Sequence, residues 1–293
     1  MSIVRSFCVG NGDMFCINHG SDSFTIIDCC LSDGDADGIL AVLKAYRSKK
    51  AIARFISTHP DDDHIRGIEL LKAQQLTIEN FYCVDNSAMR EDETGSFKAY
   101  CTLRDDAKTF HLSKGCSRKW LNEGDSERGQ AGITILWPDV NNAYFKDALA
   151  EANAGLSPNN ISPVIKYSLQ NGASAIWMGD LETDFMDAIS NAVAFSHVDV
   201  IFAPHHGRDS GRIPDAWLKQ MSPRLIVVGE APSEHLHYYP DYNTITQNSA
   251  GEIFFNFDGN KIHVFTGNEY NVDFLVDEAK TQGDFHYVGS LTV

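Results

Sequence analysis

No stretch of the 293-residue chain stays apolar for the roughly 20 residues a bilayer crossing requires, so no membrane-spanning helix is expected. The start (Met1-Ser2-Ile3-Val4-Arg5-Ser6-Phe7) lacks the apolar centre of a secretory signal and reads as a strand, and cytoplasmic residence is expected. There is no Cys-x-x-Cys, and the seven cysteines are an odd number with Cys29 and Cys30 adjacent; reduced thiols are expected rather than a disulfide framework. No proline- or serine-rich linker, repeat or low-complexity stretch divides the sequence, so residues 1–293 read as one domain. Basic residues are in deficit, 24 against 40 acidic, for a net charge of −16. That balance excludes a nonspecific nucleic-acid coat, which needs positive surface, but not a nucleic-acid substrate at a metal centre, where the cations bring the positive charge. The basic clusters Lys44, Arg47, Lys49, Lys50, Arg54 and Lys114, Arg118, Lys119 read as solvated faces.

What is present is an ordinary globular composition, 43% hydrophobic and 11% aromatic, and one stretch that organises the rest. In Thr58-His59-Pro60-Asp61-Asp62-Asp63-His64-Ile65-Arg66-Gly67, two histidines and three aspartates fall within six residues. An apolar run (Ala53, Phe55, Ile56) precedes them and an amphipathic one (Ile65, Ile68, Leu70, Leu71) follows, the pattern of a strand delivering a loop to the start of a helix. His59, Asp61, Asp63 and His64 can supply two adjacent metal ions from that loop. A helix cap would need one aspartate, not three between two histidines.

Strand-like segments occur at 3–9, 14–17, 24–27, 53–57, 79–84, 133–137, 164–169, 173–178, 198–203 and 225–228, with a final hairpin at 253–265 around Asp258-Gly259. Asn171-Gly172 marks another hairpin. Helical spacing appears at 39–46, after the metal loop, at 145–154, at 185–193 and at 214–221. Residues 86–130 are polar and glycine-containing without clear periodicity, as in a lid, an insertion or a surface that docks a protein partner. Two β-rich halves, each with its own helices, predict an α/β sandwich of two sheets with helices on both outer faces. Asp28, the loop 59–64, Asp180, His206 and His237 all follow apolar strands. If those strand ends share one edge, the residues converge. Asp13 reads as part of a turn, Gly10-Asn11-Gly12-Asp13.

The order of these segments resembles the metallo-β-lactamase fold superfamily, whose loop is His-x-His-x-Asp-His followed by an Asp and a His at later strand ends. Asp61 stands where that loop has its second histidine. This variant is similar to the hydrolase domain of the competence DNA-uptake protein ComEC and its soluble relatives, as are Val9-Gly10-Asn11-Gly12-Asp13, Asn160-Ile161-Ser162, Met178-Gly179-Asp180, Ala203-Pro204-His205-His206-Gly207 and His237-Tyr238-Tyr239-Pro240. The resemblance implies a four-layer αβ/βα sandwich and two divalent ions. His59, Asp61 and Asp180 would hold one, and Asp63, His64, Asp180 and His206 the other. Asp28 and His205 would orient ligands from behind, and Asn160 and His235 would contact substrate. A hydroxide between the ions would attack, with Asp63 at the reacting centre and His237 protonating the leaving group. Three carboxylates and three imidazoles favour Mn²⁺ while admitting Zn²⁺. The activity implied is that of a phosphodiesterase or nuclease. Hydrolysis of a lactone, thioester or amide, and a partner-docking module using 86–130, are the alternatives, since a fold does not fix a reaction.

Overall fold

The computed structural model describes residues 1–32, 34, 36–232 and 235–293. Among them two mixed sheets form. In the first, β1 (Ser2–Ser6), β2 (Phe15–Asn18) and β3 (Ser23–Ile27) run as an antiparallel meander. A crossover through helix α1 (Ala36–Arg47) then sets β4 (Ile52–Ile56) parallel to β3. The histidine- and aspartate-rich loop leaves β4 and enters two short helices, α2 (Asp62–Ile65) and α3 (Ile68–Ala73), before β5 (Phe81–Cys83) adds in parallel.

The stretch 86–130 is more regular than its sequence suggests. It carries α4 (Gly95–Arg104), with Thr94 Oγ1 accepting from the Phe97 N–H at 3.1 Å, and the short edge strand β6 (Phe110–His111). Phe97 and Tyr100 of α4 are buried against the sheet, too few apolar positions to announce a helix in advance.

The second sheet contains β7 (Ile133–Trp137), β8 (Val164–Ser168), β9 (Ser174–Trp177), β10 (Val200–Phe202), β11 (Leu225–Val228) and β12 (Thr244–Thr246). Helices α5 (Ala143–Asn153), α6 (Thr183–Ala188) and α7 (Asp215–Met221) lie between these strands in sequence, and α8 (Gln247–Ala250) follows them. The chain then returns to the first sheet as β13 (Ile253–Asp258), β14 (Lys261–Thr266) and β15 (His286–Thr292). β15 lies beyond the hairpin expected to be last; its polar start and Gly289-Ser290 hide the alternation of a strand. The sheet orders are β15-β14-β13-β1-β2-β3-β4-β5-β6 and β12-β11-β10-β9-β8-β7.

Alternation along each strand splits the core. On one side of β3 and β4, Phe24, Ala53 and Phe55 pack on Leu40, Leu43, Leu71 and Tyr100 of the covering helices. Facing inward, Ile17, Ile27 and Ile56 share a cluster with Ile165, Trp177, Ile201 and Phe255, which Phe145, Met186 and Trp217 of the later helices join. The chain is therefore an α/β protein of two mixed sheets with helices packed around them.

Arg54 departs from the solvated face expected of its cluster. Its place in β4 turns it inward, where it is buried, donating from Nη2 to the Trp120 carbonyl at 2.8 Å and from Nη1 to Thr25 Oγ1 at 3.2 Å. It thereby fastens residue 120 to the sheet. None of the seven cysteines is in a disulfide, and no helix among the described residues is long and apolar enough to cross a membrane.

Candidate metal centre

The strand ends at Ile27, Ile56, Trp177 and Phe202 deliver their loops to one place. Under them Trp177 and Phe202 stack with centroids 4.9 Å apart and planes at 10°, and Phe15 meets Phe202 edge-on at 4.9 Å, a stiff apolar floor. On this floor His59, His64, Asp180 and His206 are all buried.

Each imidazole is held from behind through Nδ1. His64 Nδ1 donates to Asp28 Oδ2 at 2.9 Å. Asp28 is itself fixed by the Thr58 N–H at 2.7 Å and the Thr58 hydroxyl at 2.6 Å. With that hydroxyl hydrogen committed to Asp28, the Thr58 oxygen accepts from His59 Nδ1 at 3.1 Å, and Ser162 Oγ stands 3.2 Å from the same nitrogen. His206 Nδ1 donates to Asp13 Oδ1 at 3.0 Å, and His205 Nδ1 pairs with Ser210 Oγ at 3.0 Å. Fixing Nδ1 fixes the tautomer and sends the Nε2 lone pair forward, the arrangement of metal-ligating histidines.

All four Nε2 atoms converge on Asp180. His64 Nε2 is 3.0 Å from Oδ1; from Oδ2, His59 Nε2 is 3.9 Å, His205 Nε2 3.6 Å and His206 Nε2 3.6 Å. Asp61 Oδ2 approaches His59 Nε2 at 3.9 Å and Asp63 Oδ2 approaches His206 Nε2 at 3.4 Å. The Nε2 atoms of His59, His64 and His206, with Asp180 Oδ1, are buried without a hydrogen-bond partner. Buried polar atoms are rarely left so. Donors about 2.1 Å from a shared ion lie about 3.0–3.4 Å from one another at right or tetrahedral angles, close to the spacing here. Among the described residues, Asp13, His64, Asp180 and His206 can place one donor atom each within 4.8 Å of the others. The residues fit a metal centre.

Neither aspartate that could have been a simple cap is one. Asp61 occupies the cap position of α2 without a side-chain cap bond, and α6 is preceded by Glu182 rather than Asp180.

The electrostatics follow from burial and crowding. Burial works to lower the pKa of His64, but Asp180 and Asp28 outweigh it and hold the imidazolium well above its ordinary range. At His206 burial is overcome by Asp13 and Asp180, and the pKa rises to about 10. Burial together with the His64 charge lowers His59 to about 3, so it is neutral and free to donate a lone pair. Asp180, despite burial, is held well below the usual carboxylate range by His64 and His206. Burial and the charge of Asp63 push Asp61 up to about 6, whereas burial at Asp63 is outweighed by the nearby imidazoles of His206 and His64 and its pKa falls to about 2. Protons on His64 and His206 thus neutralise a carboxylate cage that a cation would neutralise in their place.

Backbone strain gathers at the same spot. Asp28, His205 and His206 are left-handed at φ 56°, 53° and 56°. Each such non-glycine residue costs about 1 kcal/mol or more, and such conformations cluster at functional sites. Gly12 is a glycine because the turn docks on the loop that carries Asp63: a Cβ there would lie 2.5 Å from Cys30 Sγ and 2.7 Å from the Asp63 carbonyl.

The structure brings His59, Asp61, Asp63, His64, Asp180 and His206 together, with Asp28 behind His64. Three sequence expectations change. His205 is not behind the ligands: two consecutive left-handed residues splay both rings so that its Nε2 also faces Asp180. Asn160 is no substrate contact, because both ends of its amide are engaged by Glu182, donating to Oε2 at 2.8 Å and accepting from the backbone N–H at 3.0 Å. Asp13 is more than a turn residue, since it orients His206 as Asp28 orients His64. The hint was in the sequence, where the histidines expected as ligands need more acceptors behind them than Asp28 alone supplies. His235 Nδ1 pairs with Tyr238 Oη at 3.0 Å, and His237 is exposed with no hydrogen bond to the cluster.

Asp13→Asn is expected to leave the chain folded and to weaken metal affinity about 10-fold to 100-fold, the range for losing the acceptor behind a ligand histidine. Competition with a chromogenic chelator measures this, and affinity unchanged within about twofold contradicts the assignment. Compared with protein-family models and with curated proteins, the chain matches none.

Proposed function

We propose that the cluster holds two divalent cations, Mn²⁺ or Zn²⁺, and that the chain is a metal-dependent hydrolase of phosphodiesters with a metallo-β-lactamase-like αβ/βα sandwich of the ComEC-like kind. One observation carries this: three imidazole nitrogens and a carboxylate oxygen are buried, unpartnered and aimed at one another around Asp180. The two mixed sheets, the site at their strand ends and the order of the segments support the fold assignment.

His59 and Asp61 with Asp180 would hold one ion. Asp63, His64 and His206 with Asp180 would hold the other, and His205 faces the same carboxylate. Bound there, such ions supply Lewis acidity toward a phosphoryl oxygen and a water acidic enough to attack at neutral pH. The chain's own part is to hold that donor set rigid: Asp28 and Asp13 fix two imidazoles, Thr58 and Ser162 a third, and the aromatic floor keeps water from beneath. Asp61 and Asp63 remain partly exposed, so the centre opens to solvent on their side.

The test is cleavage of single-stranded DNA, RNA, cyclic nucleotides and bis(p-nitrophenyl) phosphate with Mn²⁺, beside a His59→Ala/Asp61→Ala double variant. Turnover by the native chain and loss in the variant are expected. Equal rates in both would remove the metal centre from the chemistry, and turnover of a lactone or thioester alone would move the activity to that class.

A further inference from the structure

A guanidinium that no carboxylate of the described residues neutralises stands beside this cluster. Arg208 follows His206 by two residues, and its backbone N–H donates to the His205 carbonyl at 2.9 Å. Its guanidinium crosses to the turn that carries Asp13, where Nη2 donates to the neutral Asn11 Oδ1. Nε is buried with no hydrogen-bond partner. Among the described residues no carboxylate comes within ion-pair distance of it, in a chain with 40 acidic residues against 24 basic. The acid on the neighbouring loop, Glu230, is turned to the Gly10 N–H. By contrast the Arg90 guanidinium pairs with Asp62 at 2.9 Å. Arg208 therefore bridges the two loops that supply Asp13, His205 and His206, and its Nη1 meets no protein acceptor among the described residues.

An unpaired guanidinium presents a fork that matches two phosphate oxygens, a geometry an ammonium cannot copy. One such fork, in a chain with a net charge of −16, suits a substrate with one or two phosphates better than a polymer, whose binding requires several neutralised phosphates. We propose that Arg208 is the phosphate-gripping residue of the site and that the substrate is a nucleotide-sized phosphodiester. This rests on the hydrolase assignment above and narrows it.

The experiment compares Arg208→Met and Arg208→Lys with the native chain, each loaded with Mn²⁺ and checked for equal metal content and a cooperative thermal transition. Two quantities are read: the dissociation constant for inorganic phosphate by calorimetry, and KM against kcat for bis(p-nitrophenyl) phosphate. Arg208→Met is expected to weaken phosphate binding about tenfold or more, the typical scale for a lost charge-assisted pair. KM should rise with little change in kcat, and Arg208→Lys should recover part of the loss. Phosphate affinity within about twofold of native in Arg208→Met, or a lysine no better than methionine, overturns the proposal. The two assignments fail separately. A native chain that binds phosphate through Arg208 but cleaves no phosphodiester would lose the hydrolase assignment alone. Cleavage with KM and phosphate affinity untouched in Arg208→Met would lose the phosphate grip alone.

Discussion

Asp180→Asn is expected to abolish metal loading and to lower phosphodiester hydrolysis by at least about a thousandfold, beyond the 10-fold to 100-fold loss typical of residues that only support a ligand. The substitution keeps the shape and removes the charge. All four histidines of the cluster approach Asp180, and its two oxygens divide them, Oδ1 toward His64 and Oδ2 toward His59, His205 and His206. An asparagine nitrogen in either position would point hydrogens at lone pairs. Histidine protonation should change as well. Asp180 is the largest influence raising His64 against its burial, so in the metal-free variant that imidazole should give up its proton at lower pH than in the native chain, as read by the NMR shifts of its ring. A variant that retains metal and turnover would leave Asp180 a bystander.

The second large effect is expected from a residue with no side chain. Gly179 lies at φ 50°, and a Cβ there would stand 2.6 Å from Ser162 Oγ, 2.8 Å from Ser162 Cβ and 2.8 Å from Thr58 Cβ. These are the two residues that hold His59 Nδ1. Gly179→Ala should destabilise the chain by roughly 2–4 kcal/mol, about 1 from forcing alanine left-handed and the remainder from overpacking. It should also weaken metal binding, because the hydroxyls that aim His59 must move. Denaturant unfolding with parallel metal titration reads both. A stability loss below about 0.5 kcal/mol with native metal affinity would show that the contact yields without cost, contrary to the close packing inferred here.

Parts of this site were legible from sequence because polar residues at the ends of apolar strands have no packing reason to be there. The loop 59–64, Asp28, Asp180 and His206 announced themselves in that way. The β4 strand and the hairpins at Asn171-Gly172 and Asp258-Gly259 did so through turn chemistry and alternation. Other parts were hidden because their signal is ambiguous or absent. Asp13 sits among glycines and an asparagine, where any aspartate looks like a turn former. The direction of the His205 ring depends on backbone angles that histidine rarely adopts. Asn160 and Arg54 show the limit of reading residue types: an amide beside a site can be consumed by a neighbouring carboxylate, and an arginine in a basic run can be turned inward by strand alternation. Helix α4 was missed because Phe97 and Tyr100 carry its buried face with little help.

The central claim is that the unpartnered nitrogens around Asp180 are ligands. Anomalous diffraction from crystals of the Mn²⁺- or Zn²⁺-loaded chain, recorded at the edge of that metal, tests it most directly. The expected result is two peaks about 3.5–4 Å apart on either side of the Asp180 carboxylate, with His59 Nε2 about 2.0–2.2 Å from one and His206 Nε2 equally close to the other. A map with no peak at Asp180, in crystals where the cluster is otherwise ordered, would contradict it.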